Sequence, residues 1–226
     1  IIFILVFAAA LKGFLNIKRQ VMTMTAARMA RMASGIASNP NSSISKTEQV
    51  LWQIEHLVNK RFLHIVSSQK AKLLEQLVRK NKPAFAVETG TLIGYSAIRI
   101  ARNLPVNSKL VSIEINKFMA AEARKNISAA GLSGKVDVVV GEAAAVLGSL
   151  KADVNFVFFD VADYLACLKA LESNGRIEKG CVVVANNVRW FADRLAPYLD
   201  YVRKSGLYRS AYYDFGFDGM EVSIRK

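Results

Sequence analysis

Short apolar runs alternate with amphipathic stretches throughout the chain from residue 84 to residue 185. The apolar runs are of strand length and cover residues 84–88, 110–114, 136–140, 154–160 and 181–185. The stretches between them have helical spacing and cover residues 95–103, 117–130, 142–150 and 162–174. Nearly continuous apolar strands separated by helices predict an α/β fold, in which a mostly parallel sheet carries helices on both faces.

The C-terminal end has a different pattern. Residues 207–213 and 220–225 are strand-like, and the glycine-containing segment 215–219 lies between them as a turn. This pattern predicts a closing antiparallel hairpin and therefore a seven-stranded sheet. A parallel sheet that ends in such a hairpin is typical of the Rossmann-like methyltransferase fold and differs from the dinucleotide-binding Rossmann fold.

Residues 1–44 are predicted to be an extension that precedes a single domain at 45–226. Residues 1–11 are entirely apolar, and residues 1–47 contain six basic residues and no acidic one. The apolar run is shorter than the roughly 20 residues that span a bilayer. A membrane anchor, an organelle-targeting segment and an ordinary packed helix are all consistent with this composition. The basic flank favours membrane association with a cytoplasmic catalytic domain, and organelle targeting is the alternative.

The domain itself is predicted to begin with two helices. Ser45 and Glu48 form a capping box before a helical apolar pattern. A second helix is expected over residues 69–81, before Pro83. The chain carries a net charge of +13, but its basic residues are scattered and not interleaved with aromatic ones, so no nucleic-acid partner is expected. Cys167 and Cys181 are interpreted as buried apolar residues.

The strongest site signal is the loop at residues 88–96, which follows the first predicted strand. Gly90 and Gly94 permit a tight turn and a close approach of a ligand to the backbone. Open α/β sheets bind ligands at the carboxyl ends of their strands, which is where this loop lies. The glycine spacing differs from Gly-x-Gly-x-x-Gly and therefore argues against a dinucleotide.

Acidic residues at the ends of the next two strands extend this predicted site. Glu114 ends the second strand, where a carboxylate can accept hydrogen bonds from both hydroxyls of a ribose. A surface carboxylate at a strand end is the alternative interpretation. Glu142 and Ala143 follow the third strand and are expected beside an adenine base.

Residues 66–188 resemble the catechol O-methyltransferase family, and the motifs occur in that family's order. The matching segments are VETGTLIGYSAIRIAR at 87–102, SIEIN at 112–116, VVVG at 138–141, FFD at 158–160, ANNV at 185–188 and DGME at 218–221. The resemblance implies S-adenosyl-L-methionine as the cofactor, with Glu88 as a partner of its cationic amino-acid part. The cofactor-binding residues that we predict are Val66, Glu88, Gly90, Leu92, Gly94, Ser96, Glu114, Glu142, Ala143 and Asp160.

The same resemblance implies a metal site. Asp160, Asn186 and Asn187 correspond to the family's metal-binding segments and would face a Mg²⁺ ion. In that family the metal holds two adjacent hydroxyl oxygens of the substrate and orients one of them for attack on the methyl group. The expected function is therefore metal-assisted methyl transfer to a hydroxyl of a small, catechol-like acceptor.

Two departures from the family pattern concern the catalytic half of the site. Asn186 stands where a second carboxylate is expected, and the segment after Asp160 lacks the family's lysine base. Asp160 and Asp163 are the catalytic candidates, although Asp163 can equally be a helix N-cap. These departures leave open a second function, in which a methyltransferase fold without catalysis serves as a membrane or complex subunit. An RNA-modifying methyltransferase is the least favoured alternative.

Overall fold

The computed structural model describes residues 44–61, 65–161 and 163–226. The predictions for residues 1–43, including the apolar run and its membrane or targeting role, lie outside the described residues. Of the helices in the described ranges, none is both long enough and apolar enough to span a membrane.

Helices and strands alternate along most of the described chain. The helices are α1 Lys46–Arg61, α2 Ser68–Asn81, α3 Tyr95–Ala101, α4 Lys117–Ala129, α5 Ala143–Gly148, α6 Tyr164–Ser173 and α7 Ala192–Lys204. The strands are β1 Phe85–Thr89, β2 Lys109–Glu114, β3 Val136–Val140, β4 Val154–Phe159, β5 Ile177–Ala185, β6 Tyr208–Asp214 and β7 Gly219–Arg225.

The described strands form one seven-stranded sheet in the order β3-β2-β1-β4-β5-β7-β6. Strands β1 to β5 are parallel, and β7 runs antiparallel to both β5 and β6. The predicted fold class and the closing hairpin are therefore confirmed. The chain moves outward in one direction from β1 to β3 and in the other from β4 onward, so the carboxyl ends of β1 and β4 border the crevice where such sheets bind ligands.

The core on one face of the sheet is built from alternate residues of the central strands and from helices α5, α6 and α7. Phe159 stacks on Tyr164, with ring centroids 5.5 Å apart, and the ring edge of Tyr198 packs against both. Cys167 and Cys181 are free thiols buried in this same core, as predicted. Burial raises the pKa of Cys167 to about 12 and raises that of Cys181 as well.

The first helix begins where the sequence predicts, and the second begins and ends close to its predicted bounds. The Ser45 hydroxyl accepts a hydrogen bond from the Glu48 backbone N–H at 3.3 Å, which is the main contact of a capping box. Helix α2 begins after Ser67 and buries residues at helical spacing, namely Lys70, Leu74 and Val78. A lysine in this buried row is unusual, because lysine is rarely buried without a partner.

Helix α7 is the one described helix for which we made no prediction. Pro197 lies inside it and removes a backbone donor, which normally argues against a helix interior. The buried residues Leu195, Tyr198, Leu199 and Val202 nevertheless recur at helical spacing. Burial of this apolar row outweighs the lost hydrogen bond. Strand β5 also begins at Ile177, four residues before its predicted start.

Candidate active site

The glycine loop connects β1 to α3 and is held by neighbouring strands. Gly90 and Gly94 have φ values of +94° and +88°, which a residue with a side chain rarely adopts. A Cβ atom at Gly90 would also lie 2.8 Å from Val161 Cγ2. The Gly90 N–H donates to the Ile113 carbonyl at 2.9 Å. The loop therefore has little freedom to shift, and residue 90 has to be glycine.

Glu114 anchors the same loop from the end of β2. Its Oε2 accepts a hydrogen bond from the Leu92 N–H and its Oε1 from the Asn116 N–H, both at 2.9 Å. Each carboxylate oxygen retains capacity for a further hydrogen bond, so both are able to accept from ribose hydroxyls. Ile115, which follows directly, is 73 % exposed, and Val140, the register partner of Glu114 on β3, is 45 % exposed. This edge therefore combines a carboxylate with apolar surface.

Glu88 is fully buried at the carboxyl end of β1. The Ser112 hydroxyl on the neighbouring strand donates to Glu88 Oε2 at 2.5 Å. Among the residues that the structure describes, Glu88 Oε1 has no hydrogen-bond partner although it is buried. Desolvation raises the pKa of Glu88 to about 7, against the opposing effect of the Ser112 and Ser96 hydroxyls. A buried carboxylate oxygen that lacks a partner is a strong acceptor for a cationic group.

Five of the predicted cofactor residues surround one cleft beside this loop. The cleft-lining residues that were predicted are Val66, Gly90, Leu92, Ser96 and Asp160. They come from the segment just before α2, from the glycine loop and from the residue that follows β4, which are remote from one another in sequence. The sheet thus brings together residues that sequence reasoning selected separately.

Three other predicted residues have structural roles at helix starts. Both carboxylate oxygens of Glu142 accept backbone N–H groups of α5, at 3.0 Å from Ala144 and 2.7 Å from Ala145. Ala143, the first residue of α5, packs into the core. Asp163 Oδ1 accepts the Ala166 N–H at 3.1 Å, which makes it the N-cap of α6. The structure thus favours the cap interpretation of Asp163 over the catalytic one.

Asp160, Asn186 and Asn187 do meet at the carboxyl ends of β4 and β5, but they meet around a lysine. Lys70 Nζ donates to Asn186 Oδ1 at 2.8 Å and to Asn187 Oδ1 at 3.1 Å. It also pairs with Asp218 Oδ2 at 2.5 Å. The Asn186 Nδ2 group donates to Asp160 Oδ1 at 2.6 Å. We call Lys70, Asp160, Asn186, Asn187 and Asp218 the lysine cluster.

This arrangement does not fit the Mg²⁺ ion that the family resemblance implies. Magnesium requires oxygen ligands, whereas Asn186 presents an amide N–H group to Asp160 and turns its oxygen to Lys70. The three residues that were predicted to bind Mg²⁺ thus form a hydrogen-bonded cluster with Lys70 in this structure. Burial raises the pKa of Asp160 to about 6, although Asn186 and Lys70 both oppose this rise.

Sequence reasoning missed Lys70 and Asp218 as members of this site. Lys70 could have been noticed in the sequence, because it occupies a position in the otherwise apolar row of α2. Asp218 carried a weaker signal, as the aspartate of the DGME segment before the last strand. Its Oδ1 accepts the backbone N–H groups of Arg189 and Trp190, at 3.2 and 3.1 Å, and thereby fixes the segment after Asn187.

Comparisons with known proteins agree with this fold. The sequence model described as O-methyltransferase matches residues 41–206. Catechol O-methyltransferase B of Danio rerio is 32 % identical over 191 residues, which cover 78 % of this chain and 72 % of that protein. The transmembrane O-methyltransferase homolog of Mus musculus is 32 % identical over 157 residues, which cover 66 % of this chain and 60 % of that protein.

A solved structure shows the same architecture. The O-methyltransferase from Bacillus cereus, determined in complex with SAH, superposes with a TM-score of 0.70 and covers 85 % of this chain and 96 % of that one, at 24 % identity. The family match extends over most of the chain and includes the glycine loop, Glu114 and the lysine cluster up to Asn187. The resemblance to catechol O-methyltransferases is thus confirmed, and the chain belongs to the O-methyltransferase family.

Proposed function

We propose that this protein transfers a methyl group from S-adenosyl-L-methionine to a hydroxyl of a small, catechol-like acceptor. The environment of Glu88 is the main support for this proposal. Glu88 Oε1 is a buried oxygen without a partner among the described residues, at the base of the loop that the family places at its cofactor. A cationic amino group placed there would satisfy this oxygen and compensate the desolvation of the carboxylate.

The remaining cofactor contacts follow from the same crevice. Glu114 would accept the ribose hydroxyls, while Ile115 and Val140 offer exposed apolar surface for the adenine. Glu142 is engaged as a helix cap, so backbone near Ala143, rather than the Glu142 carboxylate, would meet the base. When bound, S-adenosyl-L-methionine would supply an electrophilic methyl group at the acceptor side of the cleft.

The acceptor would lie beside Asp160, which lines the cleft. An aromatic residue is tied to the lysine cluster: the Trp190 backbone N–H donates to Asp218, and its side chain is 56 % exposed and donates through Nε1 to the Phe217 carbonyl at 3.0 Å. Phe217 itself is 91 % exposed. Exposed aromatic rings beside a polar site suit a planar, hydroxylated acceptor. Asp160 would accept the proton that the acceptor hydroxyl loses as its oxygen is methylated.

Calorimetry and a methyl-transfer assay test the proposal. We expect the protein to bind S-adenosyl-L-methionine with one-to-one stoichiometry and to methylate at least one member of a panel of catechols and other small phenols. The Asp160→Asn variant should lose roughly 100-fold or more of the transfer rate, measured at a saturating cofactor concentration. If the protein binds no cofactor, the proposal is wrong and the non-catalytic subunit becomes the better interpretation. Cofactor binding without transfer to any phenol would reject the acceptor class alone.

We further propose that the protein associates with a membrane through its N-terminal extension, with the catalytic domain on the cytoplasmic side. The apolar run at residues 1–11 and the basic residues that follow it support this. So does the similarity to the transmembrane O-methyltransferase homolog of Mus musculus. In cell fractionation, the full chain should sediment with membranes and resist alkaline extraction, whereas a chain that begins at residue 38 should not. Import into an organelle with removal of the extension would instead support the targeting alternative.

A further inference from the structure

Asn186 is held in one orientation by its two charged neighbours. Its Oδ1 faces the Lys70 ammonium and its Nδ2 faces the Asp160 carboxylate. Exchanging the two amide atoms would set an NH₂ group against an ammonium and an oxygen against a carboxylate. Both contacts would then be repulsive, so the observed orientation is strongly preferred.

Lys70 cannot release this amide easily, because all three of its N–H donors have acceptors. These acceptors are Asn186 Oδ1, Asn187 Oδ1 and Asp218 Oδ2. The Lys70 side chain is 8 % exposed and that of Asp218 is 9 % exposed, so solvent does not compete for the ion pair. The buried pair therefore fixes the Asn186 oxygen on the side away from Asp160.

The consequence concerns the space between Asp160 and Asn186. A divalent cation that is shared by these two residues needs an oxygen from each of them. Here one side supplies an N–H donor, and the two residues bond directly over 2.6 Å. We propose that this cleft operates without a divalent cation, because Lys70 locks Asn186 with its amide N–H rather than its oxygen towards Asp160.

The proposal's relevance to methyl transfer rests on the proposed function. Cation binding itself is measured separately from cofactor binding, so the two can fail independently. The direct test is a Mn²⁺ titration of the full chain, followed by the loss of the electron paramagnetic resonance signal of free Mn²⁺. The wild-type protein should bind no stoichiometric Mn²⁺ at millimolar concentration. Stoichiometric binding by the wild-type protein, abolished in Asp160→Asn, would overturn the proposal.

The Asn186→Asp variant provides the complementary test. A carboxylate at this position keeps one oxygen on Lys70 and turns the other to Asp160, which creates the oxygen pair that a cation requires. We expect the variant to bind Mn²⁺ stoichiometrically at millimolar concentration, where the wild-type protein binds none. Asn103→Asp is the matched control, since it adds the same charge at the C-terminal end of α3 and should leave Mn²⁺ affinity unchanged.

Both variants are first checked for folding by thermal unfolding and for cofactor binding by calorimetry. A folded Asn186→Asp protein that gains no Mn²⁺ affinity would show that the amide orientation is not what excludes the cation, and would reject the proposal. If the wild-type protein does not bind the cofactor, the proposed function is rejected. The Mn²⁺ titration would still decide whether this site excludes a divalent cation.

Discussion

Replacing Glu88 by glutamine should weaken S-adenosyl-L-methionine binding by roughly 100-fold or more, because the cationic amino group would lose the buried carboxylate at the end of β1 as its partner. Isothermal titration calorimetry measures the change. Glu178→Gln removes the same charge from the exposed N-terminal part of β5 and should leave the affinity unaltered. An affinity within threefold of the wild-type value in Glu88→Gln would contradict the assigned role.

The same substitution should stabilise the protein in the absence of the cofactor. Burial raises the pKa of Glu88 from 4.5 to about 7, so the folded state holds a proton that the unfolded state loses between these values. Ionised Glu88 therefore costs stability, and this cost is absent below pH 4.5 and complete above pH 7. Thermal and urea unfolding should show Glu88→Gln to be more stable by about 3 kcal/mol at pH 8 and nearly unchanged at pH 4.5.

Cofactor binding to the wild-type protein should accordingly depend on pH. A cationic amino group binds the ionised form of Glu88, whose population falls about tenfold for each pH unit below its pKa. Affinity should thus fall about tenfold between pH 8 and pH 6, and this dependence should vanish in Glu88→Gln. A pH dependence that persists in the variant would assign the titration to another group.

Replacing Lys70 by methionine should destabilise the protein by about 3 kcal/mol or more, since it leaves the buried Asp218 carboxylate without its ammonium partner. The two asparagine oxygens that face Lys70 lose a donor at the same time. For a domain of this size the loss corresponds to a fall of about 10 °C in Tm. Urea unfolding gives the free energy directly.

A double-mutant cycle with Asp218→Asn separates the ion pair from the packing of the lysine side chain. The Lys70→Met/Asp218→Asn variant should be more stable than Lys70→Met alone, because it removes the uncompensated charge. Lys204→Met, which removes an exposed lysine paired with Asp200 on α7, should change stability by less than about 1 kcal/mol. Additive effects at Lys70 and Asp218 would show that the pair contributes nothing.

The sheet could be predicted from the sequence because its signals are local. Strands β1, β2 and β4 are largely buried, so their sequences are mostly apolar and can be recognised without tertiary information. Helix α7 was not predicted because Pro197 contradicts a helix locally, and only the packing of its apolar row on the sheet compensates. Tertiary burial overrode a local preference there.

The candidate site divides in the same way. Gly90 and Glu114 were predictable because a tight turn and a strand end impose local requirements on residue type. The lysine cluster was not, because Lys70 and Asp218 lie 148 residues apart and meet only when α2 packs over the end of the sheet. Asn186 could be recognised as a departure from the family, but its effect depends on which of its amide atoms faces Asp160.

The two buried cysteines can be used to follow global unfolding of this protein. Cys167 on α6 and Cys181 on β5 are the only cysteines in the chain, and both lie in the core between the sheet and the C-terminal helices. A thiol reagent added to the folded protein can react only after that core separates, since the reactive thiolate requires solvent access. The rate of thiol labelling therefore measures the unfolding of this core in the wild-type protein and in variants at Glu88, Lys70 or Asn186, without an engineered probe.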